Sequence, residues 1–272
     1  MNEKIVFVDI DGTLVDGNGE MPESAQKACV KARENGHLLC IATGRQYSVI
    51  GEEILSLKFN GIISAGGARV DIDDKMIAYT AFSKKNLSHI VDYFESRKIG
   101  CTLERAECLL ASKRVFEHFN SVRKIYGKII DFYTKYENVV EGEINSSYTD
   151  VAKVIFCDTG SLTIDDIRKE FSGECEVFRG SMPFYGANSG EICPIGINKG
   201  AAVNLVLKHY GINKENSIAI GDGDNDIPML KSCGHGIAMG NGDNELKKAA
   251  EYITDSVEND GLLKAFIKYG LI

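Results

Sequence analysis

A short acidic stretch, FVDIDGTLVD (residues 7–16), runs out of an apolar segment into three aspartates. Asp9 and Asp11 are two positions apart where a strand is predicted to end, so both side chains can converge beyond the sheet edge. Two neighbouring carboxylates repel each other unless a cation holds both. Hard oxygen ligands at this spacing suit Mg²⁺, which takes one or two carboxylates and fills its remaining positions with water and substrate phosphate. The stretch therefore predicts a magnesium site.

A second acidic loop, GDGDNDIPM, follows another short apolar run and opens a predicted helix, so it can supply further ligands. Asp222, Asp224 and Asp226 have the one-three-five spacing of a calcium-binding EF-hand loop. That interpretation fails, because the sixth position is Ile227 rather than glycine and the twelfth is Cys233 rather than glutamate.

Two further motifs lie between the acidic loops. In ATGR (42–45), the Thr43 hydroxyl and the Gly44 backbone N–H can bind phosphate oxygens. In INKGAAVNL, the ammonium of Lys199 can neutralise both a phosphate and a neighbouring carboxylate. Each motif alone is common. All four in this order, each at a strand end or a helix start, favour phosphate chemistry.

Apolar runs bounded by turn residues predict the strands that position these motifs. The runs cover residues 4–10, 37–44, 60–67, 150–158, 217–223 and 235–240. Helical patterns cover residues 22–35, 199–210 and 245–250. Strands that are apolar almost throughout and alternate with helices predict an α/β fold, a parallel sheet with helices on both faces.

The middle of the chain differs from its two ends, since its strands are shorter, more polar and more aromatic. The sequence therefore predicts a core made of residues 1–82 and 189–272, with residues 83–188 inserted as a second domain. The 272 residues are 44% hydrophobic and 26% charged, as in ordinary globular proteins.

Composition excludes several classes of partner. The net charge of −8 and the lack of any basic run longer than two residues argue against nucleic acid. No window is apolar for the roughly 18 residues that a membrane span needs. With no secretory signal in the first residues, we expect a cytoplasmic protein. The eight cysteines form no C-x-x-C pair and are expected to be reduced and mostly buried.

The four motifs DIDGTLVD, ATGR, Lys199 and GDGDND resemble those of the haloacid dehalogenase-like superfamily. GIAMGNG, ELKKAAEYIT and ENDGLLKAF resemble the C-terminal stretch of its Cof-type phosphatase subgroup. The resemblance is close over the predicted core, and the insert lies where this subgroup carries a C2-type α/β cap. It implies a Rossmann-like core and a Mg²⁺-dependent phosphomonoesterase that acts on a small phosphorylated metabolite, such as a sugar phosphate or a cofactor-like phosphate.

The resemblance also implies roles for individual residues. Asp9 is the expected nucleophile, which forms an aspartyl-phosphate, and Asp11 is the expected general acid and then base. Mg²⁺ is expected at Asp9, the backbone carbonyl of Asp11, and Asp222, with Asp226 as a ligand or supporting group. The expected phosphate contacts are Ile10, Asp11, Thr43, Gly44, Lys199 and Asn225. In the cap, Arg105, Arg179 and Tyr185 are unranked candidates for substrate contacts.

Several nearby residues have simpler interpretations. Asp16 is expected to hydrogen-bond a turn, and Asp224 to be solvated. Arg45 is expected to touch substrate or pair with a core carboxylate, and Asn241 to reach the phosphate site or cap a helix. Gly66 stands where the subgroup usually has asparagine, so a side-chain amide is lost there.

Two alternatives remain open at this point. A phosphomutase of the same superfamily would keep the nucleophile and the acid but return the phosphoryl group to a sugar. A non-enzymatic phospho-acceptor or metal-binding regulatory module would also use clustered aspartates with a threonine and a lysine. No sequence feature sets an oligomeric state.

Overall fold

The computed structural model describes residues 3–136, 138–180 and 182–272. The chain forms two compact units: the described residues up to 78 together with 198–272, and those within 79–197. The boundaries therefore fall at 78/79 and 197/198, beside the predicted 82/83 and 188/189. The strand Gly190–Pro194 accounts for the later second boundary, because it is hydrogen-bonded into the sheet of the second unit.

The first unit is built on an eight-stranded sheet, whose last strand runs across the 78/79 boundary. In chain order its strands are β1 (Ile5–Val8), β2 (Leu38–Ala42), β3 (Gly61–Ser64), β4 (Arg69–Ile72), β5 (Lys75–Tyr79), β12 (Ser217–Gly221), β13 (His235–Ala238) and β14 (Tyr252–Ile253). The sheet order is β14-β13-β12-β1-β2-β3-β4-β5. The pairs from β14 to β3 are parallel, and β4 adds to β3 in the antiparallel direction.

Helices cover both faces of this sheet. They are α1 (Glu23–Glu34), α2 (Glu52–Leu55), α6 (Lys199–Tyr210), α7 (Ile227–Ser232), α8 (Asn244–Ala249) and α9 (Gly261–Lys268). On β1, Val6 and Val8 pack into a cluster that includes residues of α1 and α9, whereas Ile5 and Phe7 pack into a cluster that includes residues of α6 and α7. This alternation buries every residue of the strand, which explains its uninterrupted apolar sequence. The predicted α/β fold with helices on both faces is confirmed.

Local signals account for the helix ends. The side chain of Asn198 caps α6 by accepting a hydrogen bond from the Ala201 N–H at 2.9 Å. At the other end Gly211 adopts the left-handed conformation that terminates many helices. The predicted helix 199–210 therefore has the observed limits, and the predictions 22–35 and 245–250 differ from α1 and α8 by one residue at each end.

The second unit is built on a six-stranded sheet of mostly antiparallel strands. Its strands are β6 (Cys101–Arg105), β7 (Leu109–Ala111), β8 (Val139–Glu141), β9 (Val151–Phe156), β10 (Cys175–Arg179) and β11 (Gly190–Pro194), and its helices are α3 (Lys84–Ser96), α4 (Lys113–Tyr136) and α5 (Ile164–Glu170). The sheet order is β10-β11-β9-β6-β7-β8. One face packs against α3 and α5, and the other packs partly against α4.

The cysteine prediction is confirmed. None of the eight cysteines forms a disulfide; seven are buried and Cys108 is half-buried. Burial raises the pKa of the Cys29 thiol to about 12, so this group stays protonated and unreactive at neutral pH. Among the described residues, no helix has the length and the apolarity that crossing a bilayer requires.

Candidate active site

Three carboxylates meet at the ends of two neighbouring strands of the first unit. Asp9 directly follows β1, and Asp222 directly follows β12, with Asp226 four residues later. One oxygen from each of the three lies within 4.8 Å of the others. We call these three residues the acidic cluster. β1 and β12 pair in parallel, so their carboxyl ends lie at the same edge of the sheet, where ligands bind in open α/β folds.

Lys199 lies between two members of the acidic cluster. Its Nζ atom donates to Asp9 Oδ1 at 2.7 Å and to Asp226 Oδ1 at 2.6 Å. The lysine is 1% exposed, so these are buried ion pairs in a poorly screened environment. Lys199 begins α6, and the cap at Asn198 fixes where that helix starts.

Asp226 is the most enclosed carboxylate of the cluster and is fully buried. Its second oxygen accepts hydrogen bonds from the backbone N–H groups of Asp222 and Gly223, both at 3.0 Å. A Cβ at Gly221 would lie 2.4 Å from that oxygen, so only glycine fits at the end of β12. The loop is therefore folded around Asp226, which supports both Asp222 and Lys199.

The charges in the cluster shift one another's pKa values. Burial raises the pKa of Asp9 well above its ordinary value; Lys199 opposes the shift, whereas Asp226 and Asp222 add to it. Burial and the charge of Asp226 raise the pKa of Asp222 to about 7. Burial disfavours the charge of Lys199, but the attraction of Asp226 and Asp9 outweighs it and raises the pKa of that ammonium. Three carboxylates with one ammonium leave an excess of negative charge, which a divalent cation would neutralise.

The chemistry of the donor set fits Mg²⁺. All three groups offer hard carboxylate oxygens. The Gly12 position has φ +76, and a Cβ there would lie 2.2 Å from Asp222 Oδ2. Glycine therefore permits the chain after β1 to approach the second acidic loop. Sequence reasoning missed this role of Gly12, although the glycine immediately after Asp11 was the available signal.

The Asp11 carboxylate does not join the acidic cluster. It is 58% exposed and forms a two-pronged ion pair with Arg45, with Nη2 to Oδ1 at 2.6 Å and Nε to Oδ2 at 2.9 Å. The expected convergence of Asp9 and Asp11 is wrong for these side chains, because β1 ends at Val8 and the chain turns at Ile10, whose carbonyl accepts from three following N–H groups. Arg45 is thus paired with an exposed carboxylate.

Thr43 and Gly44 directly follow β2 in the first unit. Thr43 is fully buried, and its hydroxyl accepts a hydrogen bond from the Arg45 N–H at 3.1 Å. The Thr43 carbonyl accepts from Gly66 N–H at 3.1 Å. Gly66 has φ +66, a left-handed conformation that glycine adopts without strain and that asparagine tolerates better than most residues. Gly44 is half-buried.

Asn241 connects three loops of the first unit. Its Nδ2 group donates to the Gly12 carbonyl at 2.8 Å and lies 3.5 Å from Asp222 Oδ2, while its Oδ1 accepts from the Val257 N–H at 3.0 Å. Asp243, not Asn241, occupies the N-cap position of α8, so the capping alternative is wrong. Asn241 instead holds the two acidic loops together.

The remaining candidates have varied surroundings. Asp16 accepts hydrogen bonds from the N–H groups of Asn18 and Glu20, both at 2.9 Å, as the turn interpretation predicted. Asn225 and Asp224 are half-buried in the turn that precedes Asp226. Ile10 is fully buried.

The three candidates of the second unit differ in accessibility. Arg105 pairs with Asp150 at 2.9 Å and lies over the Tyr148 ring. Tyr185 is 1% exposed, and Arg179 is exposed at the end of β10.

Carboxylates and a lysine at the carboxyl ends of the strands of a parallel α/β sheet are an arrangement typical of phosphoryl-transfer enzymes. The chain belongs to the haloacid dehalogenase-like hydrolases, whose sequence profile matches residues 6–266. The predictions of a Cof-type member of this family and of an enzyme of the phosphatase class are confirmed by this match and by the relatives.

Three relatives show how far the similarity extends. A putative phosphatase of Bacillus subtilis, YkrA, is 24% identical over the full length of both chains. The 5-amino-6-(5-phospho-D-ribitylamino)uracil phosphatase YcsE of the same organism is 30% identical over 96% of this chain and 94% of its own. The solved structure of a subclass IIB sugar phosphatase of this superfamily has a TM-score of 0.83 and 25% identity, over 99% of this chain and 100% of that one.

Proposed function

We propose that this protein is a Mg²⁺-dependent phosphomonoesterase that acts on a small phosphorylated metabolite through an aspartyl-phosphate on Asp9. The observation that supports it best is the acidic cluster, in which two buried carboxylates share the buried ammonium of Lys199 and a third, half-buried carboxylate lies beside them. Asp9, Asp222 and Asp226 would hold the ion, with the Asp11 carbonyl. Bound there, the ion would neutralise negative charge on the phosphoryl group.

The nucleophile is proposed to be Asp9 Oδ2, because Lys199 engages the other oxygen. A bond forms between this oxygen and phosphorus while the bond from phosphorus to the leaving alcohol breaks, and Asp11 gives the alcohol its proton. Water then attacks phosphorus, gives a proton to Asp11, and releases Asp9 and inorganic phosphate.

Arg45 bears on the role of Asp11, since its guanidinium now occupies both oxygens of that carboxylate. To donate a proton, Asp11 has to leave this pair. A phosphate dianion is an equally good bidentate partner for an arginine. We propose that an incoming phosphate takes over Arg45 and releases Asp11. Thr43, Gly44, Lys199, Asn225 and the backbone at Ile10 are the other proposed phosphate contacts.

The names of the relatives support a sugar or sugar-alcohol phosphate as the substrate class. One relative is named for a ribitylamino phosphate and one solved structure for a sugar phosphatase. We propose that residues 83–188 act as a cap that supplies the specificity contacts, and that the enzyme works in the cytoplasm without nucleic acid or membrane partners.

Phosphate release from a panel of phosphorylated sugars, nucleotides and cofactors tests the proposal, with Mg²⁺ and with EDTA. We expect magnesium-dependent release that Asp9→Asn abolishes and Asp16→Asn retains, because Asp16 lies in an exposed turn. Full activity of Asp9→Asn would exclude the covalent mechanism. Release that requires a sugar bisphosphate activator would instead indicate a phosphomutase.

A further inference from the structure

The N-terminal end of α6 carries Lys199 and is in contact with two other segments of the first unit. One is the turn Ala65–Gly67, which directly follows β3, and the other is the helix α7. We call Asn198, Lys199 and Gly200 the start of α6. The Lys199 side chain is 1% exposed, so the position of this backbone decides whether its ammonium reaches both of the carboxylates that it pairs with.

The turn after β3 has three consecutive residues with positive φ, +51 at Ala65, +66 at Gly66 and +109 at Gly67. Alanine rarely adopts this conformation, and it persists only where the surrounding structure fixes it. The Ala65 N–H donates to the Arg45 carbonyl at 2.7 Å. The Gly66 N–H donates to the Thr43 carbonyl at 3.1 Å. The turn is therefore anchored to the ATGR segment that follows β2.

Gly67 lies against the peptide bond that precedes Lys199. A Cβ at Gly67 would lie 2.4 Å from the Asn198 carbonyl oxygen and 3.0 Å from the Lys199 nitrogen. These are backbone atoms, which cannot turn aside as the end of a flexible side chain can. The same Asn198 carbonyl accepts the Ala202 N–H at 3.2 Å, at the first turn of α6. A side chain at position 67 would therefore displace the start of α6 from the turn.

Gly200 approaches α7 in a similar way. A Cβ at Gly200 would lie 2.4 Å from the Pro228 carbonyl oxygen. Glycine inside a helix is less favourable than alanine, so helix propensity does not account for this residue. Pro228 follows closely on Asp226, which is one of the two partners of Lys199. The start of α6 is thus confined by two close contacts, and each of them requires a glycine.

We propose that Gly67 and Gly200 are positioning residues for Lys199. They let the turn and α7 hold the start of α6 where the ammonium reaches Asp9 at 2.7 Å and Asp226 at 2.6 Å. A displacement of about 1 Å would take either contact beyond hydrogen-bond distance. Neither glycine has a side chain that could reach a reacting atom, so both act through the lysine. This inference rests on the proposed function, in which Lys199 neutralises the phosphoryl group.

Calorimetric titration of the metal-free protein with Mg²⁺ at pH 8 tests the inference in Gly67→Ala and Gly200→Ala. Withdrawing the ammonium removes a positive charge from the acidic cluster, so we expect each variant to bind Mg²⁺ about threefold or more tighter than wild type, as Lys199→Met should. A general loosening of the fold would weaken binding instead. The matched control is Gly19→Ala, which has φ +83 but whose Cβ would meet no atom of the described residues within 4 Å; its affinity should not change.

Phosphate release at saturating Mg²⁺ provides the second measurement. On the ester that wild type hydrolyses best, we expect kcat to fall roughly tenfold or more in each variant, because the displaced ammonium no longer neutralises the phosphoryl group. The control should keep the wild-type kcat. For either glycine, Mg²⁺ binding no tighter than in wild type, or an unchanged kcat, would overturn its proposed role.

Unfolding in guanidinium with EDTA decides the inference without metal or turnover. The fall in unfolding midpoint caused by Gly67→Ala is compared in wild type and in Lys199→Met. We expect it to be at most about half as large without the lysine, because the ion pairs that the clash disturbs are then already lost. Equal falls would overturn the inference, and Gly200→Ala gives the same comparison at the second contact. The proposed function fails separately, if wild-type protein with Mg²⁺ releases phosphate from no ester.

Discussion

Replacing the proposed nucleophile is expected to stabilise the metal-free protein while abolishing its activity. At an effective dielectric constant of about 20, two carboxylates within 4.8 Å of each other repel by roughly 3.5 kcal/mol or more, so Asp222 and Asp226 together oppose the charge on Asp9 by at least about 7 kcal/mol. The attraction between Asp9 and Lys199, at 2.7 Å, offsets about 6 kcal/mol of this repulsion. Desolvation of Asp9 further disfavours its charged form. Asn at position 9 keeps an acceptor for Lys199 without the charge, so we expect Asp9→Asn to gain about 1–3 kcal/mol in EDTA at pH 8.

The sign of the pH dependence follows from the raised pKa of Asp9. The native state holds a proton on Asp9 at pH values where the unfolded chain, with an aspartate pKa of about 3.9, has lost it. This contribution to wild-type stability is complete below that value and is lost as pH rises through the native pKa. The advantage of Asp9→Asn should therefore be small near pH 4 and grow toward pH 8.

Guanidinium unfolding followed by circular dichroism measures the difference, since the chain has no tryptophan. Asp16→Asn is the matched control from the same stretch, because backbone hydrogen bonds, with that from Glu20 the largest cause, lower the pKa of Asp16. Its substitution should lower stability slightly instead of raising it. A lower unfolding midpoint for Asp9→Asn than for wild type, in EDTA at pH 8, would refute the charge argument.

Three further outcomes follow from the same geometry. Mg²⁺ should raise the melting temperature more at pH 8 than at pH 5.5, because Asp222, with a pKa of about 7, has to lose its proton to bind the ion. An equal rise at both pH values in thermal scans would contradict this. Gly12→Ala should weaken Mg²⁺ binding and lower the free energy of unfolding by roughly 1–3 kcal/mol. The loss should exceed that of Gly19→Ala, because both sites have positive φ but only a Cβ at Gly12 meets Asp222. Equal losses in denaturant titrations would rule out the steric contact. Raising the pH from about 5 to 8 should lower the melting temperature less in His89→Gln than in wild type. Hydrogen bonds to Glu174 and Glu170 raise the pKa of His89, and the stabilisation they provide is lost as the histidine deprotonates. Identical pH dependence of the two melting temperatures would show that these contacts contribute nothing.

Local sequence signals were enough to predict much of the core. The helix that carries Lys199 has both its cap and its terminating glycine in the sequence, and the strand before Asp9 is apolar because both of its faces are buried. The β4–β5 extension was not predicted. Its turn places Asp73 and Asp74 at positive φ, a hairpin geometry that the pair Asp-Asp signals less clearly than Asp-Gly.

Sequence reasoning could not predict which residues far apart in the chain contact each other in the fold. The pairing of Asp11 with Arg45 depends on how the chain turns after β1, which the two-residue spacing does not reveal. The buried ion pairs of Lys153 with Glu104 and Glu191 were missed for the same reason. Lys153 stands inside an apolar run, and its acidic partners lie on β6 and β11, far away in the chain. The local signal available was one such charged residue on each of three strands: Glu104 on β6, Lys153 on β9 and Glu191 on β11.

The central position of β1 has a consequence for synthesis of the protein. Ile5 pairs with Leu38 on one side but with Ser217 on the other, so one edge of β1 stays unpaired until roughly 200 more residues have left the ribosome. At about 5–20 residues per second, this interval lasts roughly 10–40 s. The second unit is complete before β12 emerges, whereas the strand that bears Asp9 waits with an apolar edge exposed. We therefore expect the nascent first unit to be more exposed to wrong strand pairing during synthesis than the second unit.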